Sequence, residues 1–190
     1  MIPEIITQIS DYIKLNAPFL EQTSYSPVKY FERYYGQYLP DVEGKMICPM
    51  PLPAILFEFE FDFLEENAMS QGGTGILRVH IVQENYAWAA TVSSDFDVAM
   101  RTFKHVEQIH VLLQGFSGDN FGKLQRRRYY PDKNNSITIV DILEYAFVVK
   151  DDSTNLYRDY ESNGGDATVK IEKQLVQKIP PVERVSKYVV

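Results

Sequence analysis

Cysteine is almost missing from this sequence: Cys48 is the single one in 190 residues. That excludes an internal disulfide and any cysteine-based metal cluster, and with no local signature around Cys48 a Cys–His nucleophile has no support either. Histidine is nearly as scarce, with His80, His105 and His110 the only three. His105 and His110 are five apart, which puts them on different faces of a helix, and neither joins an HExxH pattern. No metal site is expected, and all three are read as solvent-facing or half-buried. Long hydrophobic runs are absent too: no window approaches the ~18 apolar residues of a membrane-spanning helix. The opening MIPEIITQISDYIKLN carries Glu4 and Asp11 and lacks the basic start and continuous apolar stretch of a signal peptide, so the cytoplasm is the expected address. Bases are outnumbered, 19 Lys and Arg against 26 Asp and Glu, for a net charge of −7. Nonspecific nucleic-acid binding rests on counterion release by Lys and Arg and is disfavoured by that sign.

What is present is apolar residues at 45% and aromatics at 13%, which argues against global disorder. A chain of this size can bury about 70% of its unfolded surface in one domain. Charge is distributed unevenly. Residues 1–100 hold 14 acids and 5 bases, residues 101–190 hold 12 acids and 14 bases. Such a polarised protomer can orient partners, including copies of itself; the plainer reading is an uneven solvated surface.

Ile2, Ile5, Ile6, Ile9 and Ile13 recur at helical spacing over residues 2–16, with Pro3 suited to the first turn and Pro18 to the stop. Residues 18–53 are aromatic, Pro-rich and irregular; within them KYFERYY reads as a short helix ending near Gly36, packed on the sheet or offering tyrosines to a groove. The alternation of ILFEFEFDFL puts Phe57, Phe59, Phe61 and Phe63 on one face of a strand and Glu58, Glu60 and Asp62 on the other. Those three carboxylates repel one another, so their face must be wet or lie opposite bases. NAMSQGGTG has turn composition, and Gln71, Gly72 and Gly73 fall at a hairpin tip. ILRVHIVQE then alternates, Leu77, Val79 and Ile81 inward, Arg78 and His80 outward.

Ser93–Ser94–Asp95 caps a second helix with Asp97 near its positive end. Its apolar stripe is Phe96, Met100, Phe103, Val106, Ile109 and Leu113, closed by Gly115. Two strands follow, KLQRRRYY and SITIVDILEYAFVVK, around a PDKNN turn; Ile137, Ile139, Leu143, Tyr145, Phe147 and Val149 share a face interrupted by Asp141. Residues 1–152 therefore form an α+β core: an antiparallel sheet with a long hairpin, packed by an N-terminal and a central helix. Residues 153–190 form a C-terminal extension without a bulky core face, suited to docking on its own domain or adding a strand to another subunit.

The search for chemistry finds no catalytic or cofactor motif. GGTG lacks the Lys-Ser/Thr ending of a phosphate loop. Glu58, Glu60 and Asp62 are spaced about 7 Å apart along a strand, wide for one cation. Arg126, Arg127 and Arg128, followed by two tyrosines, are the one basic-aromatic cluster. On a regular strand Arg126 and Arg128 share a face and Arg127 takes the other. They suit phosphate, an acidic partner such as the 58–62 strand of another copy, or a charged edge that resists aggregation.

The succession Ile2–Asn16, PAILFEFEFDF, GILRVHIVQE, SSDFDVAMRTFKHVEQIHVLLQGF and SITIVDILEYAFVVKDD resembles the tail terminator proteins of long-tailed bacteriophages in pattern and order. The aromatic 18–53 segment and the 153–190 extension depart from that pattern and leave room for another neck-ring or tail-completion protein. The resemblance implies a virion protein, made in a host cytoplasm. It would form a ring, hexameric in the family, that caps the tail tube and presents a surface to the head-side connector or stopper protein. Genomic DNA would pass through the lumen without specific binding, and the hairpin loop, about Glu65–Gly75, would serve assembly. The alternatives are a small-ligand or peptide-binding module using the Tyr-rich 25–38 segment, with an apolar pocket beneath it, and an enzyme with scattered carboxylates converging in a cleft.

Overall fold

Isoleucines at every fourth position anchor the first helix. In the computed structural model, which describes residues 1–17, 28–64, 71–84, 96–133 and 138–151, α1 spans Ile2–Asn16. It lays Ile5, Ile9, Ile13 and, one turn on, Ala17 into the core with no exposure. Each such isoleucine contributes about 1.5–3 kcal/mol of burial free energy.

Five strands follow the expected order with one addition: β1 (Tyr30–Arg33), β2 (Ala54–Leu64), β3 (Gln71–Glu84), β4 (Gln125–Pro131) and β5 (Thr138–Asp151), with α2 (Phe96–Leu113) between β3 and β4. They form one sheet in the order β1-β2-β3-β5-β4, antiparallel throughout except for the parallel β1–β2 pair. The architecture is the expected α+β fold, with both helices on one face of the sheet. That inner face carries Phe57, Leu77, Val79, Ile81, Leu143, Tyr145, Phe147 and Val149 against Ile5, Ile9 and Ile13 of α1 and Ile109 and Leu113 of α2. The described helices include none long and apolar enough to cross a membrane.

Four expectations need correction. KYFERYY is not a helix: Tyr30–Arg33 pairs with Ala54–Phe57 as a strand. Phe31 packs into the inner core and Tyr30 against the outer one, a two-faced alternation that so short an apolar run cannot announce. Gly36 does turn the chain, at φ 97°.

Gln71, Gly72 and Gly73 are not a hairpin tip. They open β3: Gln71 pairs with β5 alone, and Gly72 and Gly73 pair with β2 on one side and β5 on the other. The glycines are there because of close approach. Gly75 sits in register between Phe61 and Phe147, whose rings meet edge to face at 6.1 Å. A Cβ on Gly75 would collide with the Phe147 ring, and one on Gly73 with the Asp62 carbonyl. Glycine inside a strand marks such approaches as readily as it marks a turn.

Phe96's side chain lies outside the described ones, and of the rest of the α2 apolar stripe only the second half holds. Val106, Ile109 and Leu113 are buried, whereas Met100 and Phe103 are 39% and 53% exposed. At about 100° per residue, Met100 lies roughly 180° and Phe103 roughly 120° from Ile109 around the helix. Thr102, His105 and Gln108 take the inward positions instead. His105 Nδ1 donates to Gln83 Oε1 at 3.3 Å, and Gln83 Nε2 donates to the Thr102 carbonyl.

Lastly, His80 and His105 are buried, not solvent-facing. His80 points outward from the sheet as its alternation requires, but residues 34–53 lie over it. The loop 65–70, the Ser93–Asp95 cap, Ile137 and the 153–190 extension fall outside the described residues.

Candidate functional site

The outer face of the sheet divides into a covered half and an open half. Residues 34–53 cover the first, placing Tyr38 and Met50 over Ala54, Leu56, Val82, Val140 and Ile142. Their fold depends on Gln37, which is fully buried: its Oε1 accepts from Tyr35 N at 2.9 Å and its Nε2 donates to the Arg33 carbonyl at 2.6 Å. A polar chain runs beneath this cover. Tyr34 stacks on His80 at 4.1 Å; His80 Nδ1 lies 2.9 Å from Tyr38 Oη, which donates to Asp132 at 3.0 Å, and His80 Nε2 lies 3.3 Å from Glu58. A neutral imidazole and a phenol bring two hydrogens to these three contacts. Burial lowers the His80 pKa, with Glu58 opposing the shift, and burial together with the Tyr34 and Asp132 contacts raises that of Tyr38. The Tyr34 and Tyr38 rings stack over the sheet here, 5.2 Å apart.

Arg78 marks the border between the halves. It stands opposite Glu58 across the β2–β3 pair and reaches Glu58 at 3.3 Å, Glu60 at 2.9 Å and Glu144 at 3.2 Å. The predicted acidic row does lie opposite a base, and one guanidinium serves three carboxylates, the bridging for which its planar fork is suited. Burial disfavours the charge, but Glu60, Glu144 and Glu58 outweigh it and raise the pKa. Among the described residues no group of three His, Cys, Asp or Glu is placed to hold a metal ion.

Beyond Arg78 no described residue outside the strands lies over the outer face. Register places Glu60 beside Ile76, Ile76 beside Ala146 and Ala146 beside Gln125, and one step further Asp62, Thr74 and Val148 in a row. Val148 is 64% exposed. An open groove of ≈ 670 Å³ runs along the β4 flank, floored by Ile76, Ala146 and Val148 and walled by Lys123, Gln125, Arg127 and Arg128.

The arginines do not alternate as expected. A β-bulge shifts the register between Arg126 and Arg128. Arg127 and Arg128 both line the groove, while Arg126 acts on His110 and Tyr145 on the helix side. An inserted residue puts two consecutive side chains on one face, and residue pattern alone does not reveal it. Arg128 approaches Glu144 at 3.7 Å. Among the described residues Lys123 and Arg127 form no ion pair, and neither does Asp62 on the opposite flank.

Gln71 and Gly73 take the inner-face parity of Gly75, whereas the other predicted interface residues occupy two flanks of one half-face: Glu58, Glu60 and Asp62 with Gly72 beside them, and across the floor Arg127 and Arg128. Arg126 is not among them. Lys123, Ile76, Ala146 and Val148 escaped sequence reasoning. Val148 and Ala146 carry the signal that could have found them, as the even-numbered partners of the inward Tyr145, Phe147 and Val149. No protein-family model matches the chain, and no curated protein matches it.

Proposed function

We propose that this chain is a structural assembly protein of a long-tailed bacteriophage, of the tail terminator or tail-completion kind: an oligomeric ring at the head–tail junction. There it caps the tail tube, joins it to the head-side connector or stopper protein and lets genomic DNA pass. The observation that carries the reading is the divided open half-face: among the described residues, Asp62 on the β2 flank and Lys123 and Arg127 on the β4 flank have no ion pair, and an apolar floor lies between them. A ring is built from heterologous head-to-tail contacts, and these need two different, mutually complementary patches on each protomer. The order of elements, with a helix ahead of a long hairpin and a second helix laid on the sheet, is the order by which the chain resembles that family.

The test is solution mass by light scattering on the full chain at low and high salt, alone and mixed with purified tail tubes. A discrete ring, or a monomer that becomes one on tubes, is the expected result. A strict monomer at all concentrations, indifferent to tubes and connectors, would refute the reading.

A further inference from the structure

We infer that the occupant of the open groove is a second copy of this chain, which seats the acidic end of its own β2, Glu60–Leu64, between Lys123, Arg127 and Arg128. This rests on the ring reading above and names the contact that would close the ring.

Three observations point to it. The first is charge. Of the groove's lining only Glu144 is acidic, and that carboxylate is held by Arg78 and Arg128, so Lys123 and Arg127 remain uncompensated. On the other flank Asp62 is the uncompensated carboxylate, next to Glu60, which is 62% exposed, and Leu64, 61% exposed. Acid with an apolar neighbour on one side matches base with an apolar floor on the other, which is how electrostatic complementarity selects register and partner.

The second is the edge itself. β1 pairs only with Ala54–Phe57 of the eleven-residue β2, so beyond Phe57 the outer side of β2 carries no strand among the described residues. That stretch has no proline or bulge, and its only edge protection is the charge of Glu58, Glu60 and Asp62. β4, the other outer strand, is protected: it has the bulge, Pro131, three arginines and an Arg126 amide that donates to Gln114 Oε1 at 3.1 Å. Backbone pairing onto β4 is therefore disfavoured, and the contact runs through side chains entering the groove beside it.

The third is direction. β2 is antiparallel to β3, β3 to β5 and β5 to β4, so β2 and β4 run in opposite senses on opposite flanks. Repeating the sheet sideways with the same face outward brings the β2 flank of one copy against the β4 flank of the next. One rotation then generates every contact, the condition for a closed ring.

Charge swapping tests it on the full chain. One variant carries Asp62→Lys; the other carries Lys123→Glu and Arg127→Glu. None of these side chains has an ion pair to lose within the described fold, and Asp62→Asn provides a milder third variant. With folding checked by circular dichroism, each reversal alone should weaken self-association at least tenfold and Asp62→Asn by a smaller factor. An equimolar mixture of the two reversed variants should restore assembly, with both chains present in equal amounts by native mass spectrometry. Variants that assemble like wild type would overturn the contact and leave the ring reading standing. Reversals that abolish assembly without rescue on mixing would overturn the pairing of these two flanks. A wild-type chain that stays monomeric with and without tail tubes would overturn both proposals together.

Discussion

His105 makes stability depend on pH in a way that can be worked out in advance. It is 5% exposed under the middle of α2, and burial pushes its pKa from 6.5 down to about 4. Gln83 fixes its tautomer: the amide nitrogen of Gln83 is used on the Thr102 carbonyl, so its oxygen faces His105 and the proton sits on Nδ1. The neutral ring fits and the charged ring does not. In the unfolded chain His105 takes up a proton as pH falls through about 6.5, while the folded chain resists until about 4. The stabilising contribution is thus complete above pH 6.5 and is lost on the way down to pH 4. Linkage puts the loss at about 2 kcal/mol by pH 5 and about 3 kcal/mol by pH 4. The assay is urea unfolding of wild type and His105→Gln, which keeps a polar group near Gln83 but cannot titrate. Every other titratable group is common to both proteins, so the difference between the two curves isolates His105. Wild type should lose about 2 kcal/mol more than the variant between pH 7 and pH 5. Parallel curves across that range would refute the claim that the ring is held neutral by burial.

Gly75→Val should destabilise by about 2–3 kcal/mol, because a branched side chain has to displace the Phe147 ring from a packed core; thermal unfolding measures it. Arg78→Met leaves Glu58, Glu60 and the buried Glu144 facing one another. The cost should be about 2 kcal/mol in denaturant, less than for a fully buried pair because Arg78 is partly exposed and Arg128 stays near Glu144. Ile9→Ala opens a cavity between α1 and the sheet and should cost about 3 kcal/mol. Tyr38→Phe removes the hydroxyl shared by His80 and Asp132 and should cost about 1–3 kcal/mol; nuclear magnetic resonance of the His80 ring should show a changed titration.

Periodicity announced most of the architecture because strongly alternating strands and an isoleucine-striped helix leave little else to be. ILFEFEFDFL could only be a two-faced strand, and of the two settings open to its acids, water or bases, Glu58 and Glu60 take the base Arg78 and Asp62 stays exposed. Where sequence reasoning failed, the cause was tertiary. Tyr30–Arg33 became a strand because β2 offered it a parallel edge. Gly73 and Gly75 looked like a turn because the aromatic rings that need them lie elsewhere in the chain. Met100 and Phe103 continue the apolar spacing of Val106, but that three-residue spacing drifts around the helix. The groove was the least legible part: it exists because a bulge turns Arg127 to the same side as Arg128, and because residues 34–53 stop short of the sheet's far end.

The bare backbone of β3 at Gly75, flanked by Phe61 and Phe147, also has a consequence for divergence. The volume above that point belongs jointly to three strands, so none of the three positions can drift alone. A change on β3 that adds a side chain becomes tolerable only after a ring on β2 or β5 has shrunk, and the reverse order opens a hole first. Distant chains sharing this fold should therefore exchange bulk among positions 61, 75 and 147 as a unit. A coupled swap, with an aromatic on β3 and a small residue on β5, should appear as correlated change.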